Sequence, residues 1–248
     1  MKTSLSKSLV WVAVILSIGL IVTVTIASSA YNTKYKAQNI ISVTGSAQKN
    51  FESDIIKWTA QYARKSTDIS EASSWLKDDR EAVKAFLNQQ GIKSDDIIFQ
   101  AVNIRKEYDY EYDTHGNSTR VFTGYVLHQS VVIESKELDV VEQAAREISS
   151  LLSQGIELTS NEPQFFYSDL ESLKLDLIKE ASENAYQRAT NIASESQANV
   201  KGMQQAELGI FQITGQNEDE AYSYGGVFNT RSRYKTAHIT LRSKYQLK

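Results

Sequence analysis

A window near the start of the chain constrains it most. From Ser8 to Thr33 no side chain is charged, and Leu9 to Ala27 (LVWVAVILSIGLIVTVTIA) is almost wholly apolar. At about 1.5 Å per residue this run makes a helix roughly 28 Å long, close to the ~30 Å hydrocarbon core of a bilayer. A core helix of a soluble domain needs no apolar surface on every side. Everything after Tyr31 therefore reads as the cargo of a membrane-targeted protein.

Two fates are open to such a segment. A secretory signal has an apolar region of about 7–15 residues followed by a small-x-small cleavage site. The longer run here favours an uncleaved anchor, while Ala27-Ser28-Ser29-Ala30 offers a peptidase a cut after Ser29 or Ala30. In both cases Lys2 and Lys7 hold the N-terminus in the cytoplasm and the body crosses the membrane. Lys34 and Lys36 on the far side weaken that asymmetry without reversing it. The expected location is the bacterial inner membrane, single-pass with the body in the periplasm, or a soluble periplasmic protein if the signal is cleaved. With no cysteine there is neither a lipid-modified N-terminus nor a disulfide framework. The fold must stand on its own core, for which the remaining ~215 residues suffice.

A net charge of −3 argues against a nucleic-acid binder. One proline and 11 glycines leave little room for hinges. The expected organisation is a signal-anchor over 1–30, a polar stalk over 31–39 (YNTKYKAQN) and one folded domain over 40–248. Gln216 to Arg233, acidic and carrying Gly225-Gly226, reads as a long exposed loop.

Three segments of the body have helical spacing. Asp68 with Glu71 resembles a capping box opening a run that closes at Gly91, with Ala72, Trp75, Leu76, Ala82, Val83, Phe86 and Leu87 as its stripe and Asp79 as a break. Leu138, Val141, Ala145, Ile148 and Leu152 form a second stripe, closed by Gly155. The third, from Asp169 to about Ser196, opens on Ser168 and Glu171 and carries Leu170, Leu173, Leu177, Ala181, Ala185, Ala189 and Ile192. Elsewhere the period is two: Ile56, Trp58, Ala60, Tyr62; then Val121 to Ile133 on odd positions; then Ala237, Ile239, Leu241, Tyr245, Leu247. Such alternation marks antiparallel sheet with one face covered. Ile40–Val43 with Phe51–Arg64, and Ile97–Tyr112 with Thr119–Glu134, read as hairpins, the second turning at His115-Gly116-Asn117. The order ββ-α-ββ-α-β-α-ββ predicts an α+β fold, helices on one side of antiparallel sheet, preceded by one transmembrane helix.

Catalytic signatures are missing. His115, His128 and His238 have no ligand partner at a metal spacing, and there is no G-x-S-x-G, Walker loop or G-x-G-x-x-G. Val43-Thr-Gly-Ser46 reads as a glycine in a hairpin bend. The expectation is no enzyme, no cofactor and no metal site. One local oddity remains, Tyr108-Asp-Tyr-Glu-Tyr-Asp113. On a strand, Asp109, Glu111 and Asp113 share one face and Tyr108, Tyr110 and Tyr112 the other. The carboxylates read as a cation-collecting row or as a solvated guard on an edge strand. The tyrosines are the candidate interface.

The order of motifs resembles a known family. Ile41-Ser-Val-Thr-Gly45 opens it; Asn88-Gln-Gln-Gly91-Ile closes the first helix, and Asp95-Asp-Ile97 enters the next strand. Gly124-Tyr125, Gln129-Ser-Val-Val-Ile133, the alanine-rich helix around Glu180–Ala189, Val200-Lys-Gly202 and Leu208-Gly-Ile-Phe-Gln212 follow in order. This pattern is similar to the SIMPL-domain family of bacterial envelope proteins, over about Ile40 to Leu247. At Phe51-Glu-Ser-Asp54, where the family commonly has a proline-aspartate pair, only Asp54 matches. The resemblance implies periplasmic or membrane-tethered proteins with no established catalytic site, some linked to oxidative-stress tolerance and some assembling into large rings. The expected function is a non-enzymatic, membrane-tethered envelope protein acting through self-association or an unknown protein partner, with a role in stress tolerance. The alternative is a periplasmic small-ligand or metal-binding module.

Overall fold

The computed structural model describes residues 3–35, 39–112, 114–218 and 223–248. Its elements are α1 (Thr3–Tyr35), β1 (Ile40–Glu52), β2 (Ile55–Ser66), α2 (Ile69–Gln89), β3 (Ile97–Phe99), β4 (Asn103–Tyr112), β5 (Ser118–Ser135), α3 (Leu138–Glu147), β6 (Glu157–Ser160), β7 (Gln164–Phe166), α4 (Leu170–Glu195), β8 (Val200–Leu208), β9 (Gln212–Gly215) and β10 (Tyr234–Leu247). The fold is α+β with antiparallel sheets. A six-stranded sheet runs β3-β5-β2-β6, with β4 also on β5 and β7 also on β2. A four-stranded sheet runs β1-β10-β8, with β9 also on β10. Two compact units divide the chain: Met1–Gly45, Ala185–Glu207 and Arg242–Lys248 in one, Ser46–Asn184 and Leu208–Leu241 in the other.

In the first unit, Leu9–Tyr31 is long and apolar enough to cross a membrane, with mean hydropathy 2.7 and no part of it buried. Three hydroxyls within it are satisfied by the helix itself: Ser17 donates to the Ala13 carbonyl at 2.8 Å, Thr23 to Gly19 at 2.8 Å and Thr25 to Val22 at 2.9 Å. A bilayer offers no water to such groups, so this internal pairing is what a span requires. The helical backbone continues to Tyr35, so the first part of the expected stalk is helix. Lys2 and Lys36 lie outside the described residues. Val43, Ala185, Ala189 and Tyr245 form the core of this unit, and the Arg188 guanidinium donates to the Thr44 carbonyl at 3.0 Å.

The second unit carries two cores. Ile56, Trp58, Ala60 and Tyr62 of β2 and Leu127, Val131 and Ile133 of β5 are buried against Ala72, Leu76, Val83 and Leu87 of α2 and Leu138, Val141 and Ala144 of α3. Ala47, Ile213, Ala237, Ile239 and Leu241 pack on Leu173, Leu177 and Ala181 of α4. Trp58 also donates its indole N–H to Ser160 Oγ at 3.1 Å. That bond lets a large ring be buried without an orphaned donor.

Several expectations need correction. β1 and β2 are not a hairpin: they belong to different sheets, and β1 runs unbroken through Gly45, so the expected bend there is absent. The physical reason lies at the corner. Ser53 N–H donates to the Arg233 carbonyl and Asp54 N–H to the Phe166 carbonyl, so the linking backbone bonds outward to other segments instead of closing on itself. The expected single strand after α3 is β6 and β7, and the expected last pair is β8, β9 and β10. The first arm of the second hairpin is broken into β3 and β4.

Helix faces shift too. Trp75, Leu152 and Ile192 are 41%, 53% and 51% exposed, outside the cores they were expected to fill. At Leu152 the cause is a 3-10 turn over Ile148–Gln154, whose three-residue period carries the buried position from Ile148 to Leu151. Asp68 does cap α2, accepting from Ser70 N–H at 2.7 Å, but Glu71 accepts from the Ser66 hydroxyl, so the reciprocal box is replaced by a relay through Ser66 to Asp68 N–H. At α4 the capping carboxylate is Asp169, on Ser172 N–H at 3.2 Å, because Ser168 is engaged by Asp54.

Candidate functional site

β2 pairs with β5 only as far as Ser66 opposite Tyr125. Beyond that point β5 has β4 alone as neighbour, so residues 107–112 and 118–124 form a projecting two-stranded ribbon. An isolated ribbon is marginal in water and needs cross-strand side-chain pairs or a further surface to hold it. Here it has the first. The Tyr108 and Phe122 rings meet edge-on at 5.7 Å, the Phe122 and Tyr125 rings at 5.1 Å, and the Arg120 guanidinium lies 3.8 Å over the Tyr108 ring. Lys106 sits 5.9 Å over the Tyr125 ring.

The register explains the row. Glu107 faces Gly124 and Tyr108 faces Phe122, so Thr123 is an extra residue, a bulge in β5. A bulge reverses the inside-outside alternation of its strand beyond it. Phe122 thereby joins the face of Tyr125, and the expected alternation of Val121 and Thr123 with Tyr125 holds only up to the bulge. The bulge sits where a side chain has no room. Gly124 has φ +148°, and a Cβ there would lie 2.8 Å from the Ser66 carbonyl oxygen.

The three candidate tyrosines therefore differ. Tyr108 is half-buried between Phe122 and Arg120, whereas Tyr110 and Tyr112 are 57% and 73% exposed and face Arg120 and Ser118. On the other face, Asp109 accepts from Tyr110 N–H at 3.0 Å, and Glu107 is paired with Lys65 across the end of β2. Asp113, the last of the expected carboxylate row, lies outside the described residues. Among the described residues no group of three His, Asp or Glu side chains is placed to hold a metal ion.

The histidines are dispersed. His115 is in the ribbon turn beside Thr114. His128 lines a polar hollow on the sheet with Gln61, Asn103, Arg105 and Ser130, and His238 lines a separate, more apolar hollow with Ile210 and Tyr224. The 216–233 loop is less exposed than expected, for Asn229 is buried and its side-chain oxygen Oδ1 accepts from the backbone N–H groups of Arg231 and Ser232 at 3.0 and 2.8 Å. Residues 219–222 lie outside the description.

Three polar features escaped the pattern reading. Asp79, the break in the α2 stripe, is buried and held by the Arg64 guanidinium through bonds of 2.6 and 2.7 Å, which raises the Arg64 pKa further. Arg233 is bound by Asp139, Glu52 and Glu142, and its pKa is pushed up chiefly by the Asp139 bond. Lys235 is buried, donating to the Phe165 and Asn229 carbonyls at 2.6 and 2.5 Å. Each binds segments distant in sequence. A charged residue in an apolar stripe was the one available signal, at Asp79.

Residues 41–240 match the SIMPL family, described as a protein of unknown function (DUF541). The chain belongs to the SIMPL family. No curated protein matches it. The matched span takes in the ribbon and leaves α1 outside. Within this SIMPL chain two positions of the matched span have clear physical roles. Gly124 permits the close pass of Ser66, and Asp54 holds the β1–β2 corner to the start of α4, accepting from Ser168 N–H at 2.7 Å and from its hydroxyl.

Proposed function

We propose that this SIMPL protein is a non-enzymatic, membrane-tethered protein of the bacterial envelope whose body lies in the periplasm and acts by contact with protein, either its own copies or a partner, in the service of stress tolerance. The observation that carries the reading is the ribbon. Tyr110 and Tyr112 stand exposed on a two-stranded projection that no third strand supports among the described residues. Aromatic side chains bury large area at small entropy cost, and exposed aromatics gathered on one projection are typical of interfaces. The apolar helix Leu9–Tyr31 supports the tether.

The test uses the full chain in detergent. Replacing Tyr110 and Tyr112 by serine leaves Tyr108 to hold the ribbon, so the circular dichroism is expected to be unchanged. The mass by light scattering, or the recovery of a co-purifying partner, is expected to fall. An unchanged mass and unchanged recovery would remove the ribbon as the contact surface.

A second reading, a small-ligand module, is favoured by a separate cleft of about 400 Å³ whose lining includes Arg146, Arg231, Glu142, Glu162, Asn161 and Phe165. Neither arginine closes a salt bridge among the described residues. With Glu142 engaged by Arg233, the two guanidiniums beside an aromatic wall can hold a small carboxylate. Calorimetric titration with benzoate is expected to show binding that R146A/R231A abolishes. Absence of heat in the wild type removes this reading.

A further inference from the structure

The edge strand β8 is unusual for how little covers it. It ends the sheet order β1-β10-β8, so one of its edges has no strand neighbour among the described residues, and every residue from Lys201 to Leu208 is exposed. Long open edges are templates for pairing, and proteins normally blunt them with proline, a bulge, a covering segment or several charges. β8 (VKGMQQAEL) has no proline, and its only charges are Lys201 and Glu207. These two stand equally far from Gln204, one on each side. That symmetry is what a two-fold contact requires, because an isologous interface opposes residue i to j and j to i.

We propose that β8 is a self-pairing edge, joining two copies of this chain antiparallel about a two-fold axis through Gln204. In that register Lys201 of each copy faces Glu207 of the other, Met203 faces Gln205, and Gln204 faces itself. On the opposite side of the strand, which Gln204 shares, Val200 faces Leu208 and Gly202 faces Ala206. Residues directly opposite in an antiparallel pair share a face, so both ion pairs and both Met203–Gln205 pairs lie on one side. The apolar Val200–Leu208 pairs lie on the other side. No other two-fold register opposes Lys201 to Glu207. Centring on Met203 sets Lys201 against Gln205, and centring on Gln205 sets Glu207 against Met203. Glu207 is already presented along this face, accepting from the Gln205 amide at 2.7 Å. The inference rests on the self-association half of the reading above but uses a surface other than the ribbon, so the two fail separately.

The experiment exploits the charge symmetry and the absence of cysteine. K201E sets Glu against Glu in both pairs, and E207K sets Lys against Lys. Light scattering of the full chain in detergent is expected to show each single variant reduced to half the mass of its wild-type assembly. An equimolar mixture, in which every pair is again opposite in sign, is expected to regain it. Q204C supplies the only thiol of the chain on the axis itself, and mild oxidation in native membranes is expected to yield a covalent dimer. K201E in the Q204C background is expected to abolish the cross-link. Single variants that keep the wild-type mass, or a Q204C chain that stays uncoupled, would overturn the edge pairing. The Y110S/Y112S change is expected to leave the Q204C cross-link intact. Its loss there would place the dimer contact on the ribbon and overturn the proposal.

Discussion

Tyr62 shows how a single buried polar atom ties stability to pH. Its ring is buried in the core, and its hydroxyl donates to Gln129 Oε1 at 2.6 Å, while the Gln129 amide donates onward to the Gln100 carbonyl at 2.8 Å. Burial drives the phenol pKa well above its ordinary value of 10.0. The folded chain thus holds this proton more tightly than the unfolded one, so the contribution is complete below about pH 10 and is lost as pH rises toward the folded value. Tyr62→Phe is expected to lower the unfolding free energy at pH 7 by about 1–3 kcal/mol, the cost of leaving Gln129 Oε1 buried without its donor. It is also expected to flatten the decline in stability above pH 10. Urea denaturation at pH 7 and 10.5 checks both, and equal slopes in the two proteins would deny Tyr62 this role.

At the scale of elements, β5 decides most. Its first stretch is a ribbon arm, its second the centre of a sheet, and Thr123-Gly124 separates them. Adding a Cβ at Gly124 would press on backbone, not on a flexible side chain, at a φ that L residues rarely adopt. Gly124→Ala is expected to cost on the order of 1–3 kcal/mol. It should also slip the ribbon register, read as altered amide exchange at Tyr108 to Tyr112; unchanged stability and exchange would mean that the bulge tolerates a side chain. Helix ends were the most legible elements. Gly91 and Gly155 close their helical segments at positive φ, and Asp68 caps α2. These signals are local, needing only neighbours within a turn. The reciprocal half of each expected box failed because Glu71 and Ser168 found better partners in Ser66 and Asp54. A stripe reading cannot see such competition.

For the whole molecule, the apolar helix sets where the rest works. If Leu9–Tyr31 remains as a span, the full-length protein is expected to sediment with membranes and to resist alkaline carbonate extraction. Recovery of a mature chain beginning at Ala30 or Tyr31 would show instead that the segment is a cleaved signal. No disulfide can brace the remainder, since the chain has no cysteine. Its apolar cores are joined by charges that bridge segments: Arg64 with the buried Asp79, Arg233 with Glu52, Asp139 and Glu142, and the buried Lys235 with the Phe165 and Asn229 carbonyls.

The chain's own order of residues determined the α+β class, the apolar span, the three body helices and the buried faces of β2 and β10, because each follows from a period or a cap readable within a few residues. The exposed tyrosine row was legible for the same reason, since alternation alone puts Tyr110 and Tyr112 on one face. Only the tertiary structure decided that β1 and β2 part at Ser53-Asp54 into different sheets, for the hydrogen bonds that draw them apart come from Arg233 and Phe166, far along the chain. It alone moved Phe122 to the face of Tyr125, through a bulge required by the close approach of Ser66 to Gly124. It alone turned Asp79 from a flaw in a stripe into a buried ion pair, because its partner Arg64 comes from the neighbouring strand β2. Periods and caps are local and travel with the sequence, whereas strand partnership and the neutralisation of buried charge are set by whichever distant segment arrives beside them.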